Sequence, residues 1–141
     1  HWAHPADALP ELRRALAPGA WLTVLWNDRR NDACPATEWV EAAIRRYAPG
    51  WDEAYRDRDW AEVLRSTGDF EAVELDEHDH VVPMPRERFV RLWRSHNRLK
   101  AAVGDDGLER LLAELETYLD DRRVELVELP YRARAWSARR V

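Results

Sequence analysis

The apolar run AWLTVLW, residues 20–26, ends in Trp26 and Asn27 and passes at once into the polar stretch DRRND. An indole face favours a cation and a neighbouring amide can orient a polar ligand, so the pair has the chemistry of a small-molecule site. The structural alternative is that Trp26 closes the core and Asn27 bonds its own turn. Ser95, His96 and Asn97 stand together at the end of another amphipathic stretch, where His96 either lines a ligand pocket or caps a helix. Trp51 follows APG and belongs to no apolar stripe, which makes it a further candidate for ligand contact, beside Tyr55, Arg56 and Arg58.

Two other constellations carry less. His78 and His80 flank Asp79, and in a strand that spacing sets both imidazoles on one face. A third ligand is not identifiable, so a solvated face is the better reading and no metal is expected. Cys34 precedes Pro35 at a helix start, where a thiol pKa can fall. The sequence places no base beside it, and it reads as structural.

Bulk properties bound the classes. A chain of 141 residues supports one core, and a single domain over residues 1–141 is the expectation. The net charge of -5 is spread over mixed Arg, Asp and Glu without a basic face, which argues against a nucleic-acid partner. A single cysteine excludes an internal disulfide framework or a multi-thiolate zinc site and fits a cytoplasmic setting. Nothing approaches the ~18 apolar residues of a membrane span, and no signal pattern opens the chain, so no membrane role is expected.

The elements that must position these residues follow from periodicity. Leu9, Leu12 and Leu16 predict a helix over 5–16, stopped by Pro18 and Gly19. The near-continuous apolar run after it predicts a strand covered on both faces, hence a parallel strand of an α/β sheet. Pro35 opens a helix through Tyr47 with Trp39, Val40, Ala43 and Ile44 on one stripe, and Asp59 to Ser66 forms a short one. FEAVELDEHDHVV alternates as a strand, Pro85 restarts a helix, and Leu108, Leu111, Leu112, Leu115 and Leu119 give another over 107–121. Residues 124–141 close with an Arg-rich strand that reads as lying near an exposed surface, with Arg132, Arg134, Arg139 and Arg140 a solvated face or, as the alternative, a carboxylate-binding one. Trp21, Trp39, Trp60 and Trp93 fall on apolar stripes and are expected in the core. About five helices and three strands result, with one strand edge left for another chain.

The order HW, then ALPELRRALAPGAWLTVLWNDRR, then RRYAPG resembles the class I S-adenosylmethionine-dependent methyltransferases, in particular the small-molecule enzymes of the type 11 domain group. The matching residues are His1, Trp2, Leu16, Pro18, Gly19, Trp26 and Asn27; FVRLWRSHN and ELPYRARAWSARR are similar to the family's later helix end and closing strand. The resemblance implies a partial Rossmann-like methyltransferase fold and methyl transfer to a small-molecule acceptor. It implies catalytic roles for His1 and Asn27, cofactor contacts for Trp2 and Trp26, and acceptor contacts for His96 and Trp51. Ala3, Ala20 and Asn97 depart from the family's pattern. The family's Gly-rich turn and ribose-binding acidic residue precede its HW, and the five glycines here form no such cluster. The chain therefore resembles the C-terminal half, expected to use S-adenosylmethionine only when an N-terminal half chain completes it. The alternative expectation is an inactive, cofactor-free module that forms a homodimer through the exposed sheet edge.

Overall fold

The computed structural model describes residues 3–52 and 58–141. Five helices and a three-stranded antiparallel sheet occur in the order α1 (Pro5–Ala15), β1 (Trp21–Arg29), a 3-10 turn (Asn31–Ala33), α2 (Pro35–Tyr47), α3 (Trp60–Arg65), β2 (Phe70–Pro85), α4 (Arg86–Arg94), α5 (Asn97–Asp121) and β3 (Leu126–Arg140). The sheet order is β1-β3-β2, with the last strand in the middle. The described residues gather into two compact units, one of residues 3–28, 58–79 and 132–141, the other of 29–52 and 80–131.

In the first unit, α1 starts with proline in its first turn, carries Asp7 early and Arg13 and Arg14 late, and ends at Leu16. Gly19, at φ 75, turns the chain into β1. Asp59 caps α3 by accepting the Glu62 amide at 2.9 Å. Leu9, Leu64, Phe70, Trp136 and Ala138 form the buried cluster, with Leu22, Val24, Trp26, Trp60 and Val73 packed on it. Burial in β1 alternates residue by residue, so Leu22, Val24 and Trp26 face the cluster while Trp21, Thr23, Leu25 and Asn27 are exposed.

That alternation corrects the reading of β1 as a parallel strand covered on both faces. The strand is antiparallel to β3: the Arg140 amide donates to the Ala20 carbonyl, and the Thr23 and Ser137 hydroxyls meet at 2.9 Å. Trp21, expected in the core, is 46% exposed because its parity places it on the uncovered side. The closing strand is also corrected, from surface to centre. Its arginines pair with carboxylates instead of facing water alone: Arg132 holds Asp79 through two bonds of 2.6 and 2.8 Å, Arg134 lies 3.1 Å from Glu77 and 3.6 Å from Asp28, and Arg139 pairs with Glu71.

These rungs expose an irregularity in β2. From Glu71 to Glu77 is six steps, but their partners Arg139 and Arg134 are five apart, so β2 carries one extra residue. Ala72, at φ 49, sits in that interval and is the bulge.

The second unit is built on α2, α4 and α5. Val40, Ala43, Ile44, Phe89, Trp93, Leu111, Leu115 and Leu119 bury fully or nearly so against Val127 and Leu129 of β3 and Met84 of β2. Tyr47 of α2 donates its hydroxyl to Glu114 of α5 at 2.5 Å, and Arg46 reaches the other oxygen at 2.7 Å. The Tyr47 hydroxyl and, after it, Arg46 hold the Glu114 carboxyl below its ordinary range. A depressed carboxylate stabilises the fold above its unfolded pKa, and that contribution fades as the pH falls through the lower folded value.

Helix α5 begins at Asn97, ten residues before the leucine periodicity, and is broken at Gly104, whose φ of 72 and ψ of 175 no other residue adopts readily. The break interrupts the pattern that would have revealed the first turns. At its other end, the Val124 amide bonds the Leu119 carbonyl and the Arg123 amide bonds Asp120, a Schellman motif with Arg123 in the left-handed region at φ 53. A side chain there costs about 1 kcal/mol relative to glycine. Arg123→Gly is therefore expected to raise the unfolding free energy in urea by about that amount; an unchanged or lowered midpoint contradicts the assignment.

Candidate functional site

Two regions hold the residues singled out from the sequence, one in each unit. In the first unit, Trp26 turns into the core and meets Trp60 edge-on, with ring centroids 4.6 Å apart. Its neighbour Asn27 points the other way and is exposed. Parity separates the aromatic from the amide, so the two do not form one surface. Arg58 lies over the Trp60 ring at 5.5 Å.

The second unit brings together two residues that the sequence leaves unconnected. The His96 and Trp51 rings lie 6.0 Å apart, and His96 also stacks on Trp93 at 5.8 Å with a 16° interplanar angle. Arg29 covers Trp93 at 4.4 Å and Arg98 covers Trp51 at 4.7 Å, which extends the aromatic row with a guanidinium at each end. His96 caps α5: its Nδ1 accepts the Leu99 amide at 3.1 Å. That acceptor role requires an unprotonated Nδ1 and leaves the proton of the neutral ring on Nε2.

Trp51 is tied to a polar network. Its Nε1 donates to Glu41 Oε2 at 3.2 Å, and Asn31 Nδ2 donates to Glu41 Oε1 at 2.5 Å. The network exists because the 3-10 turn presents Asn31 beside the opening of α2. There Pro35 fixes the first turn, and the buried Thr37 sets its hydroxyl 2.9 Å from the carbonyls of Asn31 and Cys34. Asn31, Asp32, Glu38, Glu41 and Arg45 line a pocket of about 320 Å³, within the ordinary range for small ligands. Its lining offers three carboxylates against one guanidinium, so it suits a hydrogen-bonding ligand better than an anion.

His1 and Trp2, together with Tyr55 and Arg56, lie outside the described residues. His78 is exposed in the first unit, whereas His80, in the second, stacks on Tyr131 at 5.6 Å. Cys34 is buried at the start of α2. Glu41, Asn31, Arg29 and Arg98 escaped the sequence reading. Glu41 and Arg45 share a face of α2 at four-residue spacing, the one signal that pointed to this wall.

The described glycines offer no cofactor cradle. A Cβ at Gly19, Gly50, Gly68 or Gly104 would meet nothing within 4 Å, and one at Gly107 would meet only Val103. No glycine directly follows a strand. Among the described residues, the turn that lets backbone approach S-adenosylmethionine closely is therefore not present, and the residues in hand do not fit that cofactor by themselves.

No family model and no curated protein sequence matches the chain. Among solved structures, one similar chain is Phospholethanolamine N-methyltransferase 2 of Haemonchus contortus, in complex with phosphomonomethylethanolamine and S-adenosylhomocysteine. The TM-score is 0.33 at 14% identity, over 94% of this chain and 29% of that one. The chain thus spans under a third of the length of that protein.

Removing the Glu41 carboxylate strands two donors at once. Glu41→Ala is expected to cost about 1–3 kcal/mol in urea unfolding. A double-mutant cycle with Trp51→Phe should give a coupling above about 0.5 kcal/mol; strict additivity would show that the Trp51 bond does not hold this wall.

Proposed function

We propose that the chain is the acceptor-side part of a class I S-adenosylmethionine-dependent methyltransferase, transferring a methyl group to a small molecule when a Gly-rich N-terminal half completes it. The observation that carries this reading is an ordered correspondence. The series marked by the family resemblance falls on successive elements: Leu16, Pro18 and Gly19 at the stop of α1, Trp26 and Asn27 in β1, Ser95 to Asn97 at the junction of α4 and α5, and LPYRARAWSARR as β3.

S-adenosylmethionine, when bound to the completed protein, supplies an electrophilic methyl group. Its cradle belongs to the other half, because the glycines described here do not fit it. What this chain contributes is position. Alignment of the acceptor supplies most of the acceleration in such a transfer, and a base helps only where the nucleophile must lose a proton. Asn27 is assigned to orienting the acceptor, and Trp26 to holding the strand end through its contact with Trp60. Trp51 and His96 are assigned to the acceptor wall, and His1 and Trp2 keep the base and cofactor-edge roles that the resemblance gives them. A cytoplasmic setting is part of the same proposal.

Titration of radiolabelled S-adenosylmethionine tests it. The chain alone should bind none, and a mixture with a Gly-rich N-terminal half of the family should bind stoichiometrically; no binding by the mixture overturns the reading. In a mixture that turns over, Asn27→Ala should lower kcat/KM by roughly tenfold, the effect of one lost hydrogen bond.

A further inference from the structure

We infer that Glu41 is a positioning residue for the methyl acceptor: it orients the Trp51 indole and, through that ring, sets how tightly the acceptor is held. The inference rests on the assignment of Trp51 to the acceptor wall.

Trp51 stands in an irregular segment after α2, where neither helix nor strand geometry directs its side chain. The segment is closed without the indole, because the Trp51 amide bonds the Ala48 carbonyl at 2.9 Å and Arg98 lies 3.8 Å from Asp52. The ring meets His96 at 6.0 Å, and the Arg98 guanidinium covers it at 4.7 Å. Ring contacts of this kind change little when an indole turns within its own plane. A hydrogen bond at the N–H edge does change, since it weakens steeply once donor and acceptor lose alignment. Glu41 supplies that bond, its Oε2 accepting from Nε1 at 3.2 Å. What the tether adds to an already closed segment is the orientation of one half-buried ring.

Glu41 is itself held in direction. Val40, Ala43 and Ile44 are fully buried and seat α2 in the core. The second carboxylate oxygen, Oε1, accepts from Asn31 Nδ2 at 2.5 Å, and the buried Thr37 hydroxyl bonds the Asn31 carbonyl at 2.9 Å. One oxygen is thus committed to the 3-10 turn and the other to the indole. An ionised acceptor makes such a bond about twice as strong as a neutral pair would. Without it Trp51 remains in place but its ring turns, so the wall keeps its composition and loses its shape. The loss falls on acceptor affinity and spares S-adenosylmethionine, whose cradle belongs to the other half.

Two readouts separate this role from the methyl-transfer reading. In the chain itself, the Trp51 indole N–H, assigned by its absence in Trp51→Phe, should exchange with solvent about tenfold faster in Glu41→Ala. Glu41→Gln should restore slow exchange, since its amide oxygen still accepts from the indole while its nitrogen donates to the Asn31 amide turned over. In the mixture with the Gly-rich half, methyl transfer from radiolabelled S-adenosylmethionine is followed with the member of a panel of amines, phenols and carboxylates that turns over fastest. Glu41→Ala should raise the KM for that acceptor about tenfold. It should leave the KM for S-adenosylmethionine unchanged and add nothing further in a Trp51→Phe background. A purely structural loss lowers the active fraction, hence kcat, and moves neither KM. Indole exchange indifferent to Glu41→Ala, an unchanged acceptor KM, or full additivity with Trp51→Phe overturns this inference and leaves the methyl-transfer reading standing. A mixture that turns over no member of the panel overturns both.

Discussion

The pairing of β3 between two antiparallel neighbours is the constraint on which the other features depend. It is the last strand in sequence and the central one in the sheet, so neither β1 nor β2 has its inner partner until the chain is nearly complete. Its cross-strand rungs explain its composition. Arg132 and Arg134 keep about a third of their side-chain surface exposed and are matched to Asp79, Glu77 and Asp28. Bidentate geometry, as in the Arg132 pair, makes such a rung more specific than a surface ion pair, and specificity of register is what a central strand needs. The extra residue at Ala72 follows from the same rungs, because it lets Glu71 and Glu77 both reach arginines that are five apart.

Much of the helical structure was legible in the sequence. Pro35 marks a first turn, Pro18 and Gly19 a stop, and the leucines of α5 repeat at three and four residues, all signals carried within a few positions. The direction of β1 was not legible. A run of apolar residues has the same composition whether its neighbour is parallel or antiparallel, and only the pairing with residues more than a hundred positions away decides. Trp21 was misplaced for the same reason: its side is fixed by parity from the Ala20–Arg140 bond, not by its hydrophobicity.

The polar wall in the second unit was illegible for a different reason. Glu41 looks like any acidic residue on an exposed helix face, and Trp51 like a stray aromatic in a loop. Their meaning comes from the Asn31–Glu41–Trp51 chain of hydrogen bonds, which requires the 3-10 turn, α2 and the segment after it to converge. His96 is the intermediate case. Its position at the end of one amphipathic stretch left a pocket wall and a cap both open; its Nδ1 caps the start of the next helix, while its ring joins the row from Trp93 to Trp51. A capping imidazole with Nδ1 committed as acceptor can act through its other ring nitrogen only as a donor while the cap is in place.

Alternation in β1 also bears on the proposed function. The parity that sends Leu22, Val24 and Trp26 into the core places Asn27 in the same outward row as Thr23 and Leu25. The amide assigned to the acceptor under the proposed function therefore stands on the exposed face of the strand, opposite the Trp26–Trp60 contact that holds the strand to its core. An acceptor that Asn27 orients must approach from that exposed face, and Trp26 can act on it only through the strand it anchors.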